Sequence, residues 1–262
     1  MAPIRVVVNG ATGKMGVETV AAICLEDDLT LVGATCHTPR GSSLPLPDGS
    51  IVPLSTNLEE LLKETTPDVL VDFTNATASM EASLMAAGMS VNLVLGASGL
   101  TDDNFKQLDA VANDKNIGVI VAPNFALGAV VLKRLAEQAV EYFDYVDIIE
   151  SHHEAKIDAP SGFSMNLAKS IGDKKQFTRN VTEYENMPGT RGGEYNGVTI
   201  HSVRMPGRSA HHEVILGALG QTVTLRHDTL SRDCYMPGVV RCIREVVNRR
   251  GLVVGLENIL GL

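Results

Sequence analysis

The chain of 262 residues is short of positive charge. Its 22 lysines and arginines stand against 31 aspartates and glutamates, a formal net charge of −9. That balance argues against a nucleic-acid binder, which ordinarily presents a basic face, while leaving room for a locally basic pocket that takes a small anion. No segment approaches ~18 uninterrupted apolar residues, so no membrane-spanning helix is expected. Residues 1–8, MAPIRVVV, run straight into a strand pattern without the charged and apolar regions of a leader, so a cytoplasmic location is expected. Cysteines are few. Cys24, Cys36, Cys234 and Cys242 are scattered through apolar settings without C-x-x-C spacing, as expected for buried, reduced thiols.

What is present is an alternation of apolar runs and helical periodicities. IRVVV at 4–8 ends at Asn9-Gly10, and a helix is predicted over 15–26. Strands follow at 29–36, 52–55, 68–74, 90–97 and 117–124, with helices within 56–65, 76–88 and 102–115. Continuous apolar strands separated by helices predict a Rossmann-like, doubly wound parallel sheet. Residues 39–49 read as a loop. After residue 125 the pattern changes: one long helix over 126–142, a strand at 146–153, a helix at 162–172 and a polar, glycine-rich stretch at 174–197. Three successive strands, GVTIHSVRM, HHEVILGA and QTVTLRHD, then predict a mixed or antiparallel sheet in a second, α+β domain. The expected division is a dinucleotide-binding domain over 1–124, completed by a C-terminal helix within 233–262, and a substrate-binding and tetramerisation domain over 125–232.

Gly10, Gly13 and Gly16 sit between the first strand and the first helix in VVVNGATGKMGVETV. The spacing G-x-x-G-x-x-G serves the needs of a pyrophosphate site: a tight turn, close approach of backbone to ligand, and close packing of helix on strand. The helix N-terminus adds unpaired N–H groups, and Lys14 adds a charge. At the end of the second strand, where a carboxylate would bond the ribose of NAD, the chain has His37, Thr38 and Arg40, so NADPH is expected to be favoured, with NADH possible.

The stretch ESHHEAKIDAPSGFS at 150–164 places His152, His153 and Lys156 ahead of a Pro-Ser-Gly that reads as a helix start, with Ser161 as its cap. Amides at Gly162 and Phe163 would face an incoming carboxylate, and the imidazoles or the ammonium would supply a proton. No metal site is expected: His152 with His153, and His211 with His212, are adjacent on strand patterns and point to opposite faces, and no cysteine or carboxylate stands at zinc-ligand spacing.

These motifs together resemble the 4-hydroxy-tetrahydrodipicolinate reductase (dihydrodipicolinate reductase) family. They are GATGKMG at 10–16, DFT at 72–74, PNFALG at 123–128, E-x-HH-x-x-K-x-DAPSG at 150–162, TRG at 190–192, IHSVRMPG at 200–207, HHEV at 211–214 and RHD at 226–228. The resemblance implies an NAD(P)H-dependent oxidoreductase of lysine and diaminopimelate biosynthesis that passes a hydride to a cyclic imine dicarboxylate and then delivers a proton at the neighbouring carbon. It implies a homotetramer built by the central domain. Carried over by position, His152 and Lys156 would be the catalytic pair, and His153, Ser161, Gly162 and Phe163 would bind substrate carboxylates. Gly10, Ala11, Thr12, Gly13, Lys14 and Met15 would hold the cofactor together with Phe73, Thr74, Gly96, Ala97, Ser98, Ala122, Pro123, Asn124 and Phe125. The chain departs from the family pattern at Phe163, where PSGTA is usual, at Gly96-Ala97-Ser98-Gly99 in place of GTTG, and at Asn124-Phe125-Ala126 in place of NFS. Those departures keep open an alternative, an NADPH-dependent reductase of the same fold acting on another cyclic imine or oxo acid.

Overall fold

The computed structural model describes residues 2–262 and divides the chain into two compact units. Unit 1 comprises the chain to Leu127 and Arg232–Leu262, and unit 2 comprises Gly128–Ser231.

Unit 1 is built on an eight-stranded sheet. Its strands are β1 (Ile4–Asn9), β2 (Leu29–Thr35), β3 (Ser43–Pro45), β4 (Ile51–Ser55), β5 (Val69–Asp72), β6 (Asn92–Leu95), β7 (Gly118–Val121) and β13 (Gly251–Val254), in the spatial order β13-β7-β6-β5-β1-β2-β4-β3. All neighbours pair parallel except β3, which is antiparallel to β4. Val6, Val7, Val8, Val69, Leu70, Val71, Leu93, Val94 and Leu95 are completely buried. Strands apolar on both sides belong in a sheet covered on both faces. The covering helices start where the sequence supplies caps. Asn57 accepts from the amide of Glu60 ahead of α2 (Leu58–Thr65), Asn75 accepts from Ala78 ahead of α3 (Ala76–Gly88), and Thr101 with Asn104 forms a capping box ahead of α4 (Asp102–Lys115).

Two readings of this part are corrected. The predicted loop at 39–49 contains β3, because Asp48 and Gly49 close a hairpin: Gly49 takes φ +85° and the Asp48 carboxylate accepts from the Ser50 amide at 2.9 Å. The segment expected as a single C-terminal helix holds α7 (Met236–Val246), then β13 added parallel to β7, then a short α8 (Glu257–Leu260).

In unit 2 the strands β8 (Tyr145–His152), β9 (Gly193–Tyr195), β10 (Val198–Arg204), β11 (Ala210–Ala218) and β12 (Gln221–Thr229) form a mixed sheet ordered β12-β11-β8-β10-β9. Only β8 and β10 pair parallel. The strand β9 lies inside the stretch read as polar and irregular. It exists because Asn196 and Gly197, both at positive φ, make a two-residue turn into β10. The predicted long helix is α5 (Leu127–Ala139) followed by a 3-10 turn over Val140–Tyr142.

Alternation sets which side of this sheet is covered. Val146 and Ile148 on β8, Ile200 on β10, and Val214 and Leu216 on β11 are buried against Leu132 and Ala136 of α5 and Leu167, Ala168 and Ile171 of α6 (Gly162–Gly172). Towards the end of β8 the same face turns polar. Glu150 and His152 continue the buried set from Val146 and Ile148, the exposed Ser202 and half-buried Arg204 follow Ile200 on the same face of β10, and His212 precedes Val214 on β11. The core face of unit 2 thus runs without a break into a patch of charged and titratable side chains.

Candidate active site

The residues expected to hold a cofactor are in unit 1. Strand order reverses direction between β1 and β5, and such a switch point opens a crevice at the carboxyl ends of the strands. Every cofactor residue expected from the sequence lies just beyond one of those ends. Gly10 to Met15 follow β1, His37, Thr38 and Arg40 follow β2, Phe73 and Thr74 follow β5, Gly96, Ala97 and Ser98 follow β6, and Ala122 to Phe125 follow β7.

The turn after β1 is tightly specified. Gly10 takes φ +78°, and a Cβ on Gly16 would stand 2.2 Å from the Gly10 carbonyl oxygen, so only glycine lets α1 (Lys14–Cys24) approach β1 this closely. The N-cap of α1 is Gly13, which has no side chain to satisfy the first-turn amides. An uncapped helix start with backbone on open approach fits a pyrophosphate. A polar chain of residues that sequence reasoning missed holds this turn in place. Thr35 Oγ1 donates to Asn9 Oδ1, Asn9 Nδ2 donates to Asp72, and the buried Asp72 accepts from the Thr74 amide and hydroxyl at 2.9 Å each. Phe73 and Phe125 meet edge to face at 5.5 Å, and Gly96 is pressed against both, since a Cβ there would lie 2.3 Å from the Phe73 ring. Ala11, Ala97, Ala122 and Phe125 are buried, so what they offer a ligand is backbone. His37, Thr38 and Arg40 are exposed.

The residues expected to meet a substrate are in unit 2. His152 is the last residue of β8, and it is buried. Its Nδ1 is bound to Glu150 Oε2. Glu150 is completely buried and also accepts from Arg204 Nη1 at 3.0 Å, Arg204 Nη2 at 2.8 Å and the Ser161 amide at 3.3 Å. Burial alone would raise the Glu150 carboxyl; the hydrogen bonds from His152, Arg204 and Ser202 outweigh it and hold the group at about 2.

Ser161 caps α6 as expected, its Oγ accepting from the Ser164 amide at 3.2 Å. The same hydroxyl lies 3.4 Å from Nε2 of His212, whose ring is 5.4 Å from that of His152 and 4.4 Å from that of Phe163. Burial, reinforced by repulsion from His152, pushes His212 down to about 3, so its imidazole is neutral. Phe163 is half-buried, packed on one side against the unit 2 core and on the other against His212.

The remaining expected residues are arranged differently. Lys156 is half-buried and pairs with Asp158 at 2.6 Å. The Asp158 carboxyl is lowered, first by that bond and, less strongly, by a bond from the Gly162 amide. One of the two amides expected to receive a ligand carboxylate therefore has an internal carboxylate beside it, and the amide of Phe163 has no partner among the described residues. His153 is exposed and stands outside the Glu150–His152–His212 cluster. His211 points to the other face of β11 and binds Asp228 at 2.6 Å, so the adjacent pair 211–212 is divided between the two sides of the sheet.

Glu150, Arg204 and His212 were absent from the sequence-derived site. Glu150 was visible in E-x-HH as the neighbour two residues back on the same strand face as His152. Arg204 and His212 stand opposite His152 and Glu150 in the pairing of β10 and β11 with β8, and that register is a tertiary fact.

Comparison with known proteins gives a consistent answer over the whole chain. The family models for dihydrodipicolinate reductase match at both ends, the N-terminus model over residues 4–125 and the C-terminus model over residues 128–260. A 4-hydroxy-tetrahydrodipicolinate reductase of Dehalococcoides mccartyi is 46% identical over 263 residues, covering 100% of both chains. One from Syntrophomonas wolfei is 43% identical and covers 98% of each. Among solved structures, the dipicolinate-bound dihydrodipicolinate reductase of Paenisporosarcina sp. TG-14 superposes with a TM-score of 0.88 at 38% identity, over 98% of this chain and 99% of that one.

Proposed function

The chain belongs to the dihydrodipicolinate reductase family, and from that premise we propose that it reduces 4-hydroxy-tetrahydrodipicolinate to tetrahydrodipicolinate at the expense of NAD(P)H, in the biosynthesis of diaminopimelate and lysine. A bound reduced nicotinamide dinucleotide supplies the hydride. Within unit 1 the uncapped start of α1 and the turn from Gly10 to Met15 hold the pyrophosphate, and the ends of β5, β6 and β7 shape the remainder of the cofactor site through Phe73, Thr74, Gly96, Ala97, Ser98 and the 122–125 turn. The exposed His37, Thr38 and Arg40, with no carboxylate among them, support a preference for NADPH.

Within unit 2 the dicarboxylate is bound by cations and amides. Lys156 and the start of α6 draw in one carboxylate, which displaces Asp158 from the ammonium, and His153, Ser161, Gly162 and Phe163 line its approach. His152 or Lys156 delivers the proton. The observation that carries this reading is the convergence, at a single helix start, of a buried histidine, a lysine and a free amide on a chain related to reductases along its full length. A cytoplasmic location fits cysteines that form no disulfide among the described residues, where no helix is long and apolar enough to cross a membrane. A homotetramer assembled through unit 2 fits the apolar residues on the sheet face away from α5 and α6, where the exposed Val203 and the half-buried Ile149 and Ile215 lie among Asp147, His201 and Glu213.

The test is oxidation of NADPH and NADH by the native chain with enzymatically generated substrate. We expect turnover that depends on the substrate, with kcat/KM for NADPH at least equal to that for NADH, and a selective loss with NADPH in Arg40→Ala. A preference for NADH above tenfold would remove the cofactor assignment, and no turnover with either would remove the reading itself.

A further inference from the structure

We propose that Glu150, clamped by Arg204, is a positioning residue that fixes the tautomer of His152 and turns its Nε2 towards the reacting substrate. The proposal rests on the reading above in which His152 serves the reaction.

The acceptor capacity of Glu150 is fully used. Oε2 takes His152 Nδ1 and Arg204 Nη1, Oε1 takes Arg204 Nη2 and the Ser161 amide, and the Ser202 side chain adds a further hydrogen bond to the carboxylate. An ionised carboxylate only accepts, so His152 Nδ1 must carry the hydrogen. In the neutral imidazole Nε2 is then the unprotonated nitrogen, and in the imidazolium it is the one free to release a proton. The ring cannot turn over without breaking this bond to a completely buried carboxylate.

Arg204 has a second part in the arrangement. Its guanidinium is itself fixed, Nη2 to the Asp158 carbonyl at 2.7 Å and Nη1 to the Val203 carbonyl at 2.8 Å. It therefore holds Glu150 in one orientation and offsets its charge. The ring stacked edge-on against His152, that of His212 from β11, is neutral. A buried arginine–glutamate pair serving only stability would have no need of the imidazole as a third member. Here all three side chains share one carboxylate at the strand end where the substrate is expected.

The decisive variant is Glu150→Gln. Arg204 requires an acceptor, so the glutamine oxygen faces the guanidinium and its NH2 faces His152 Nδ1, which reverses the hydrogen bond. The ring must then accept at Nδ1, and the imidazolium, which donates at both nitrogens and would face the glutamine NH2, is disfavoured. We expect kcat to fall by about 10–100-fold, the range found when an outer partner that orients a functional histidine is removed, with KM for NADPH unchanged and partial recovery in Glu150→Asp. The readout that a structural role would not move is the ¹⁵N spectrum of the His152 ring: protonated at Nδ1 in the neutral native chain, and at Nε2 in Glu150→Gln. The native spectrum stands whether or not the variant folds, and a native ring protonated at Nε2 would overturn the proposal. Loss of turnover in His152→Gln with native turnover in a folded Glu150→Gln overturns the positioning role alone. Native turnover in His152→Gln overturns the use of His152 itself, and the proposal with it.

Discussion

Phe163 shows how one side chain can set the chemistry of another. Its ring covers His212 at 4.4 Å, and burial is the main reason that imidazole is held at about 3 rather than its ordinary 6.5. Burial disfavours the charged form, which for histidine is the protonated one, so uncovering the ring raises the value. In Phe163→Thr we expect the NMR titration of His212 to move upward from about 3 towards 6.5. Loss of the ring's contact with the unit 2 core should also lower stability by about 1–3 kcal/mol in thermal unfolding. An unmoved His212 titration would show that the strands and Ser161, rather than Phe163, exclude water from it. At this scale the sequence was informative where a residue type is scarce in meaning: glycine at three spaced positions, or histidine ahead of lysine and a helix cap. It was silent on His212, because a histidine in a strand reads the same whether its face is wet or dry.

Elements account for the next part. The alternation of β8 displays Val146, Ile148, Glu150 and His152 on one face, and that much could be read from the period of two. What could not be read was the register that sets Arg204 beside His152 and His212 beside Glu150, since it is decided by turns and packing remote from those residues. The edge strands β3, β9 and β13 were missed for a related reason. Each has only three or four residues, too few for a pattern, and the turn residues Asp48-Gly49 and Asn196-Gly197 were the signals present for the first two. The βα junction at Gly10 to Gly16 was legible because the constraint is local. A methyl group on Gly16 would meet backbone atoms of Gly10 and Ala11 at 2.2–2.8 Å, with no flexible side chain to yield. Gly16→Ala should push α1 off β1, cost about 1–3 kcal/mol as overpacking does, and weaken NADPH binding in calorimetry at least tenfold. Native affinity in that variant would show that the helix start is not the pyrophosphate site.

The whole molecule is two units whose chemistry is complementary. The chain returns at Arg232 to complete unit 1, where α7 packs beside α1 and β13 extends the sheet past β7. The proposed cofactor surface on unit 1 and the proposed proton-donating, carboxylate-binding surface on unit 2 lead to a separable expectation: damage to the unit 2 site should abolish chemistry and spare the cofactor. The measurement that tests this most directly is a paired one on Lys156→Ala and His152→Gln: kcat with generated 4-hydroxy-tetrahydrodipicolinate, and the dissociation constant for NADPH by fluorescence titration. We predict that at least one variant loses about 10²–10⁴-fold in kcat, the usual cost of removing a positioned acid, while both bind NADPH within about twofold of the native chain. Near-native turnover in both would contradict the account, because no residue of the proposed unit 2 site would then be delivering the proton.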